Sequence, residues 1–200
     1  MRVFVLSTGR CGSMTFSRAC THITNYTSGH ETRVGVIGPG HLEYPDQHIE
    51  SDNRLSWFLG RLHERFGKEA LFVHLFRDKD RVARSYSRRF GYRDCIMDAY
   101  LSGIHIRANT TDHLEVARDY VETVEANIRM FMAAVPNGLE FNLDDKPEET
   151  FARFWDVAGA QGDLERALAE FRFEHNASRM GGVAARLKRR AASVIGAFRR

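Results

Sequence analysis

Cysteine is scarce in this chain of 200 residues. Cys11, Cys20 and Cys95 are odd in number and have no Cys-x-x-Cys spacing, which excludes a disulfide framework and a thiolate zinc site as organising features. A reducing compartment is expected. No apolar run approaches the roughly 20 residues that cross a bilayer. The apolar stretch behind Arg2 is too short for a secretory signal, so the cytoplasm is the expected location. Acid is absent from the last stretch, where Arg179, Arg186, Lys188, Arg189, Arg190, Arg199 and Arg200 are seven basic residues with no Asp or Glu. Against a net charge of +3 for the whole chain, those seven leave the preceding residues at −4. A slightly acidic body disfavours nucleic acid as a partner.

The remaining composition, 43% hydrophobic and 28% charged, is that of a globular protein with a sizeable core. One domain over residues 1–178 with a basic tail over 179–200 is the simplest division. In the tail, Val183, Leu187, Ala191, Val194, Ile195 and Phe198 share a helical face. That face suits packing on the chain's own domain, an acidic partner helix or peripheral contact with a membrane surface.

Apolar runs and helical periodicity alternate along the body. Phe4-Val5-Leu6 ends in Ser7-Thr8-Gly9-Arg10-Cys11-Gly12, after which Met14, Phe16, Ala19, Cys20 and Ile23 recur at helical spacing. The pattern predicts a strand, an anion-binding loop and a helix from Ser13 to about His22, capped by Ser13 or Thr15. Residues Thr24 to His48 read as a long polar, glycine-rich loop suited to a substrate-facing surface, with His41 and His48 as surface histidines or, as weaker candidates, a catalytic base. A helix from about Asp52 to Phe66, with Asp52 as cap and Gly67 as stop, precedes the buried-strand run Ala70 to Phe76. A charged turn and a helix through Val82, Ala83, Tyr86 and Phe90 follow. A long amphipathic helix from Thr111 to about Val135, a strand over Leu139 to Leu143 and a helix starting near Pro147 complete the pattern. Such alternation predicts an α/β fold with a mainly parallel central sheet flanked by helices, whose ligands bind beyond the carboxyl ends of the strands.

Two of those strand ends carry anion chemistry. Arg10 is the only fixed charge of the first loop; Arg77 ends the second strand, with Ser85 about two helical turns beyond. A guanidinium and a hydroxyl can grip one anion from two sides. Alternatively the glycines of the first loop merely connect, and Arg77 serves as an ion-pair partner for Asp78 or Asp80.

The run Ser-Thr-Gly-Arg-Cys-Gly-Ser-Met-Thr resembles the 5′-phosphosulfate loop of sulfotransferases that use 3′-phosphoadenosine-5′-phosphosulfate (PAPS). The run from His74 to Ser85, with an Arg after the strand and a Ser eight residues later, resembles their 3′-phosphate motif. Over residues 1 to about 90, the resemblance implies a three-layer P-loop-like fold and sulfuryl transfer from PAPS, leaving 3′-phosphoadenosine-5′-phosphate (PAP). The acceptor would be a hydroxyl or amine on a carbohydrate or other small molecule. By position it implies that Cys11, Gly12, Ser13, Met14 and Thr15 line the phosphosulfate, that Arg10 neutralises the leaving phosphate, and that Arg77 and Ser85 bind the 3′-phosphate. His30 and Glu31 match the Gly-His-Glu of bacterial members, which implies Glu31 as general base with His30 orienting or replacing it. As an ordinary loop carboxylate, Glu31 would instead pair with Arg33.

The chain departs from the family at Cys11, where Ser is commoner, and at Lys79, where Pro is. The later glycine-rich basic segment has only Ser178 to Gly182 as a counterpart. The modest length implies an abbreviated acceptor pocket or one completed by a second chain. A kinase-like enzyme would need Gly-Lys-Ser/Thr for its triphosphate and magnesium, which the loop lacks, so no metal is expected. A scaffold that binds nucleotide without turnover is the other alternative, separated from the enzyme by whether a base faces the sulfuryl position.

Overall fold

The computed structural model describes residues 1–92, 94–106 and 108–172. The basic tail and the Ser178–Gly182 segment lie outside the described residues. Five strands, β1 (Arg2–Leu6), β2 (Thr27–His30), β3 (His48–Ser51), β4 (Leu71–Phe76) and β5 (Gly138–Asn142), form one sheet in the order β2-β3-β1-β4-β5. Every pairing is parallel. β1 and β4 are central and apolar on both faces, as helix layers on either side require.

The helices are α1 (Ser13–Cys20), α2 (Leu59–Phe66), α3 (Lys79–Ser87), α4 (Ile96–Ala99), α5 (His113–Ala134), α6 (Pro147–Ala158) and α7 (Leu164–Ala169). Phe16 of α1 meets Phe141 of β5 and Phe151 and Phe154 of α6 at ring separations of 5.3, 5.3 and 5.0 Å on one face of the sheet. On the other face, Phe4 packs on Phe66 of α2 at 5.1 Å, and Phe72 on Phe131 of α5 at 4.8 Å. Helices, sheet and helices make three layers. Aromatic side chains carry much of the burial on both faces.

Several expectations need correction. Neither Ser13 nor Thr15 caps α1; Gly12 stands at that position with φ +88°, and no side-chain hydrogen bond caps the helix. The Thr24–His48 stretch is not loop throughout. It holds β2, a 3₁₀ turn over Pro39–Leu42 and the first residue of β3. Thr-Ser-Gly-His and His-Ile-Glu-Ser lack the apolar runs that announce strands, and pairing to β1 draws β3 into the sheet despite its polarity. His41 and His48 are buried, not on the surface. His41 lies 4.5 Å from the Phe58 ring, and His48 serves a buried carboxylate described below. The helix expected from Asp52 splits into a 3₁₀ turn over Asn53–Trp57 and then α2. Asp52 does cap the first of these, accepting from the Arg54 N–H at 2.8 Å.

Candidate functional site

Because all five strands are parallel, their carboxyl ends form a single edge. Register places His30 beside Ser51, Val5 beside Ser51 and Phe76 beside Asn142. The loop after β1, the residues after β2 and β3, Arg77 after β4 and Asp144 after β5 therefore share that edge.

The loop between β1 and α1 is held from beneath. The Thr8 carbonyl accepts from two buried phenols, Tyr86 at 2.7 Å and Tyr120 at 2.9 Å. Ser7 Oγ accepts the Gly9 N–H at 3.1 Å, while Ser56 Oγ donates to the Ser7 carbonyl at 3.1 Å. Gly9, Arg10 and Gly12 all take positive φ, 81°, 61° and 88°. At Gly12 the backbone angle calls for glycine; a Cβ there would also press on the movable end of the Leu143 side chain, with Cδ2 at 2.5 Å. Cys11 points inward, its thiol donating to the Leu75 carbonyl at 3.3 Å. Burial pushes that thiol up to about 11, which makes it an anchor and not a nucleophile. The loop delivers the first turn of α1, whose N–H groups have no partners within the helix. No acid occupies that turn.

Two contacts tie this loop and turn to their neighbours. Arg10 Nε donates to Ser85 Oγ on α3 at 3.2 Å, joining the two sequences expected to bind anions across 75 residues. Burial, and then the neighbouring Arg89, lower the proton affinity of the Arg10 guanidinium. His30 Nε2 lies 3.2 Å from Ser13 Oγ, so the end of β2 touches the start of α1. Met14 is exposed and Thr15 half-buried on the helix that follows.

Glu31 is arranged differently. With φ +55° it turns the chain after β2, and its carboxylate pairs with Arg54 at 3.1 Å. Arg33, its expected loop partner, instead donates to the Gly40 carbonyl at 2.9 Å and lies over the Tyr44 ring. Beneath Glu31 is a fully buried carboxylate, Glu50. It meets His48 Nε2 at 2.9 Å and accepts from Thr32 N–H at 2.8 Å and Thr32 Oγ1 at 2.7 Å. Burial works to raise the Glu50 carboxyl, but those bonds outweigh it and hold it below the usual range. Asp52, also fully buried, is pushed up by burial and by the nearby Glu31 and Glu50 charges against the pull of the Arg54 N–H. One of its oxygens has no partner among the described residues.

Arg77 faces neither Asp78 nor Asp80. Its Nη2 donates to Asp144 Oδ1 at 2.8 Å, and Arg81 Nη1 donates to the same oxygen at 2.9 Å. Asp80 is taken by Arg118 at 3.0 Å. Ser85 turns its hydroxyl to Arg10, so Arg77 and Ser85 lie at one edge with different partners. Tyr86, Tyr120, Glu50 and Asp144 are the residues that sequence reading missed. The tyrosines look like ordinary apolar positions of helix faces, while Asp144 had a signal in its place directly after the last strand. Among the described residues there is no group of three or more His, Cys, Asp or Glu that could hold a metal, and no helix is long and apolar enough to cross a membrane.

No protein-family model and no curated protein matches the chain. Among solved structures, the chain is similar to the crystal structure of mouse sulfotransferase SULT7A1 complexed with PAP, at 10% identity and a TM-score of 0.50. The match covers 85% of this chain and 61% of that enzyme, so the chain spans less than two thirds of its length. At that identity the likeness is one of overall fold alone, which in this chain is an α/β arrangement of five parallel strands between helix layers.

Proposed function

We propose that the protein is a sulfotransferase that moves a sulfuryl group from PAPS to a hydroxyl or amine of a small-molecule or carbohydrate acceptor. The observation that carries this reading is the Arg10–Ser85 contact of 3.2 Å, which brings two separately recognisable anion-binding sequences to one sheet edge. A donor with phosphate groups at both the 3′ and the 5′ position of its ribose suits two such seats better than a single terminal phosphate does.

When bound, PAPS supplies an activated sulfuryl group whose bond to the 5′-phosphate breaks as a new bond to the acceptor forms, the electron pair leaving with the phosphate. Gly12, Ser13, Met14 and Thr15 offer N–H and hydroxyl donors at the α1 N-terminus, where negative charge is favoured. Arg10 neutralises charge that builds on the leaving oxygen. Arg77 and Ser85 hold the remote phosphate, and Cys11 keeps the loop seated on β4. The acceptor proton has to go to a base on this edge. We assign that role to His30, whose Nε2 is in reach of Ser13 when the Ser13 hydroxyl donates to it. Glu31, tied to Arg54, then shapes the turn that presents His30. This chemistry is mainly positioning and charge stabilisation and asks for no metal.

Incubation with labelled PAPS and a panel of hydroxyl and amine acceptors, with mass detection of products, tests the assignment. His30→Ala should lower turnover by about 10²–10⁴-fold with PAP affinity retained, the usual size of a lost general base. Glu31→Gln should keep most of the activity. The reverse order would move the base to Glu31. The Glu31–Arg54 pair also favours a second reading, nucleotide binding without turnover, which the result would be if PAP binds and no acceptor is sulfated.

A further inference from the structure

The corner that the proposed function gives to the remote phosphate already holds an anion, one belonging to the chain. Asp144 Oδ1 accepts from Arg77 at 2.8 Å and from Arg81 at 2.9 Å. Its second oxygen accepts from the Asp78 N–H, also at 2.8 Å. On the Arg77 side of the site proposed for Arg77 and Ser85, two guanidiniums and a backbone N–H at the start of α3 are further donors that a phosphate could recruit. Asp78 cannot serve as that anion, because its own Oδ1 caps α3 by accepting from the Arg81 N–H at 2.7 Å.

The seat is built so that its occupant can be exchanged. Asp144 sits on a short turn after β5, fixed by its N–H to Asn142 Oδ1 at 3.0 Å and by Leu143 N–H to the Phe76 carbonyl at 2.8 Å. Its side chain is 26% exposed and that of Arg81 is 56% exposed. A rotation about the Asp144 side chain therefore releases the carboxylate to water without unpairing the strand. Arg77 Nε, by contrast, is buried and has no hydrogen-bond partner among the described residues, a donor that Asp144 leaves unused. A tetrahedral anion with more acceptor sites than a carboxylate has further lone pairs for such donors.

We propose that Asp144 is an internal surrogate for phosphate, occupying the Arg77–Arg81–Asp78 seat in the empty protein and setting the affinity for any phosphate monoester that displaces it. Under the sulfotransferase reading, on which the identity of the ligand rests, that monoester is the donor's 3′-phosphate. The carboxylate keeps two cations from facing each other unscreened while the seat is empty. It also makes occupation conditional: a ribose hydroxyl, being neutral, cannot replace a carboxylate between two guanidiniums, whereas a dianionic phosphate can. Asp144 is then a specificity-determining residue that does not touch the reacting atoms.

Inorganic phosphate is the first probe, since it needs the seat alone. By calorimetric titration of the full chain, D144N should bind phosphate about tenfold more tightly than the parent, the scale of one charge-assisted contact, and adding Arg77→Ala should remove the gain. D144S repeats the measurement if D144N melts early. Equal or weaker phosphate binding by both folded variants overturns the inference and makes Asp144 a fixed brace for Arg77. PAP and adenosine 5′-monophosphate are titrated next, with a similar gain expected for PAP and none for the monophosphate. A gain for inorganic phosphate in a protein that binds PAP in neither form sinks the donor reading while the surrogate role stands. A gain for the monophosphate equal to that for PAP would contradict the placement of the 3′-phosphate.

Discussion

The two sides of the loop after β1 handle charge in opposite ways. Toward β2 and β3, the carboxylates Glu50 and Asp52 are wholly buried, and Glu50 is held by His48 and Thr32 in a network of short bonds. Toward β4 and β5, the half-buried Arg77 and the exposed Arg81 share the partly exposed carboxylate of Asp144. Buried polar groups that are satisfied fix geometry, because any other arrangement leaves them unpaired in a medium of low dielectric. Surface pairs can trade partners with water or with a ligand at little cost. Under the proposed function, the difference would give the acceptor side, where His30 ends β2 next to β3, to preorganisation and the remote-phosphate side to exchange.

Three substitutions sharpen that contrast. Glu50→Gln should be the most damaging, costing about 1–3 kcal/mol, because it disrupts a buried charge-assisted network. Its effect should also depend on pH. The folded Glu50 carboxyl titrates below its unfolded value, so it adds stability that is present above about pH 4.3 and is lost as pH falls through the lower folded value. The parent's stability from urea melts should fall more steeply with falling pH across that acid range than that of Glu50→Gln, and parallel stability–pH curves would contradict the network. Tyr120→Phe should cost about 1 kcal/mol, since the Thr8 carbonyl keeps its bond from Tyr86. Arg81→Ala should cost no more than about 0.5 kcal/mol, because its ion pair is exposed and screened. An Arg81→Ala cost above that of Tyr120→Phe would erase the distinction between the two sides.

The alternation of apolar runs with helical periodicity makes the α/β class, β1, β4, β5 and the long helix readable in the sequence. β2 and β3 were not readable, because β3 is held by pairing to β1 and β2 by pairing to β3, contacts between residues distant in sequence. The anion-loop glycines and Arg77 were visible because glycine and arginine are required by backbone angle and by charge. Where Arg77 would point was not visible. Its partner lies 67 residues on, and only the parallel register of β4 with β5 brings Asp144 to the same edge. Likewise Tyr86 and Tyr120 carry a helical apolar signal that conceals the hydroxyls supporting Thr8. For Glu31 and His30, adjacency in sequence hid a divergence, since a residue with φ +55° sends one side chain to Arg54 while its neighbour reaches Ser13.

The central claim, a phosphosulfate seat and a second phosphate seat on one edge, is tested most directly by comparing thermal unfolding of the full chain with PAP and with ATP plus magnesium. At a PAP concentration about 100-fold over its dissociation constant, linkage gives roughly 2.7 kcal/mol of stabilisation. The account predicts a clear rise in melting temperature with PAP and little or none with ATP and magnesium. Stabilisation by ATP and magnesium without stabilisation by PAP would contradict it.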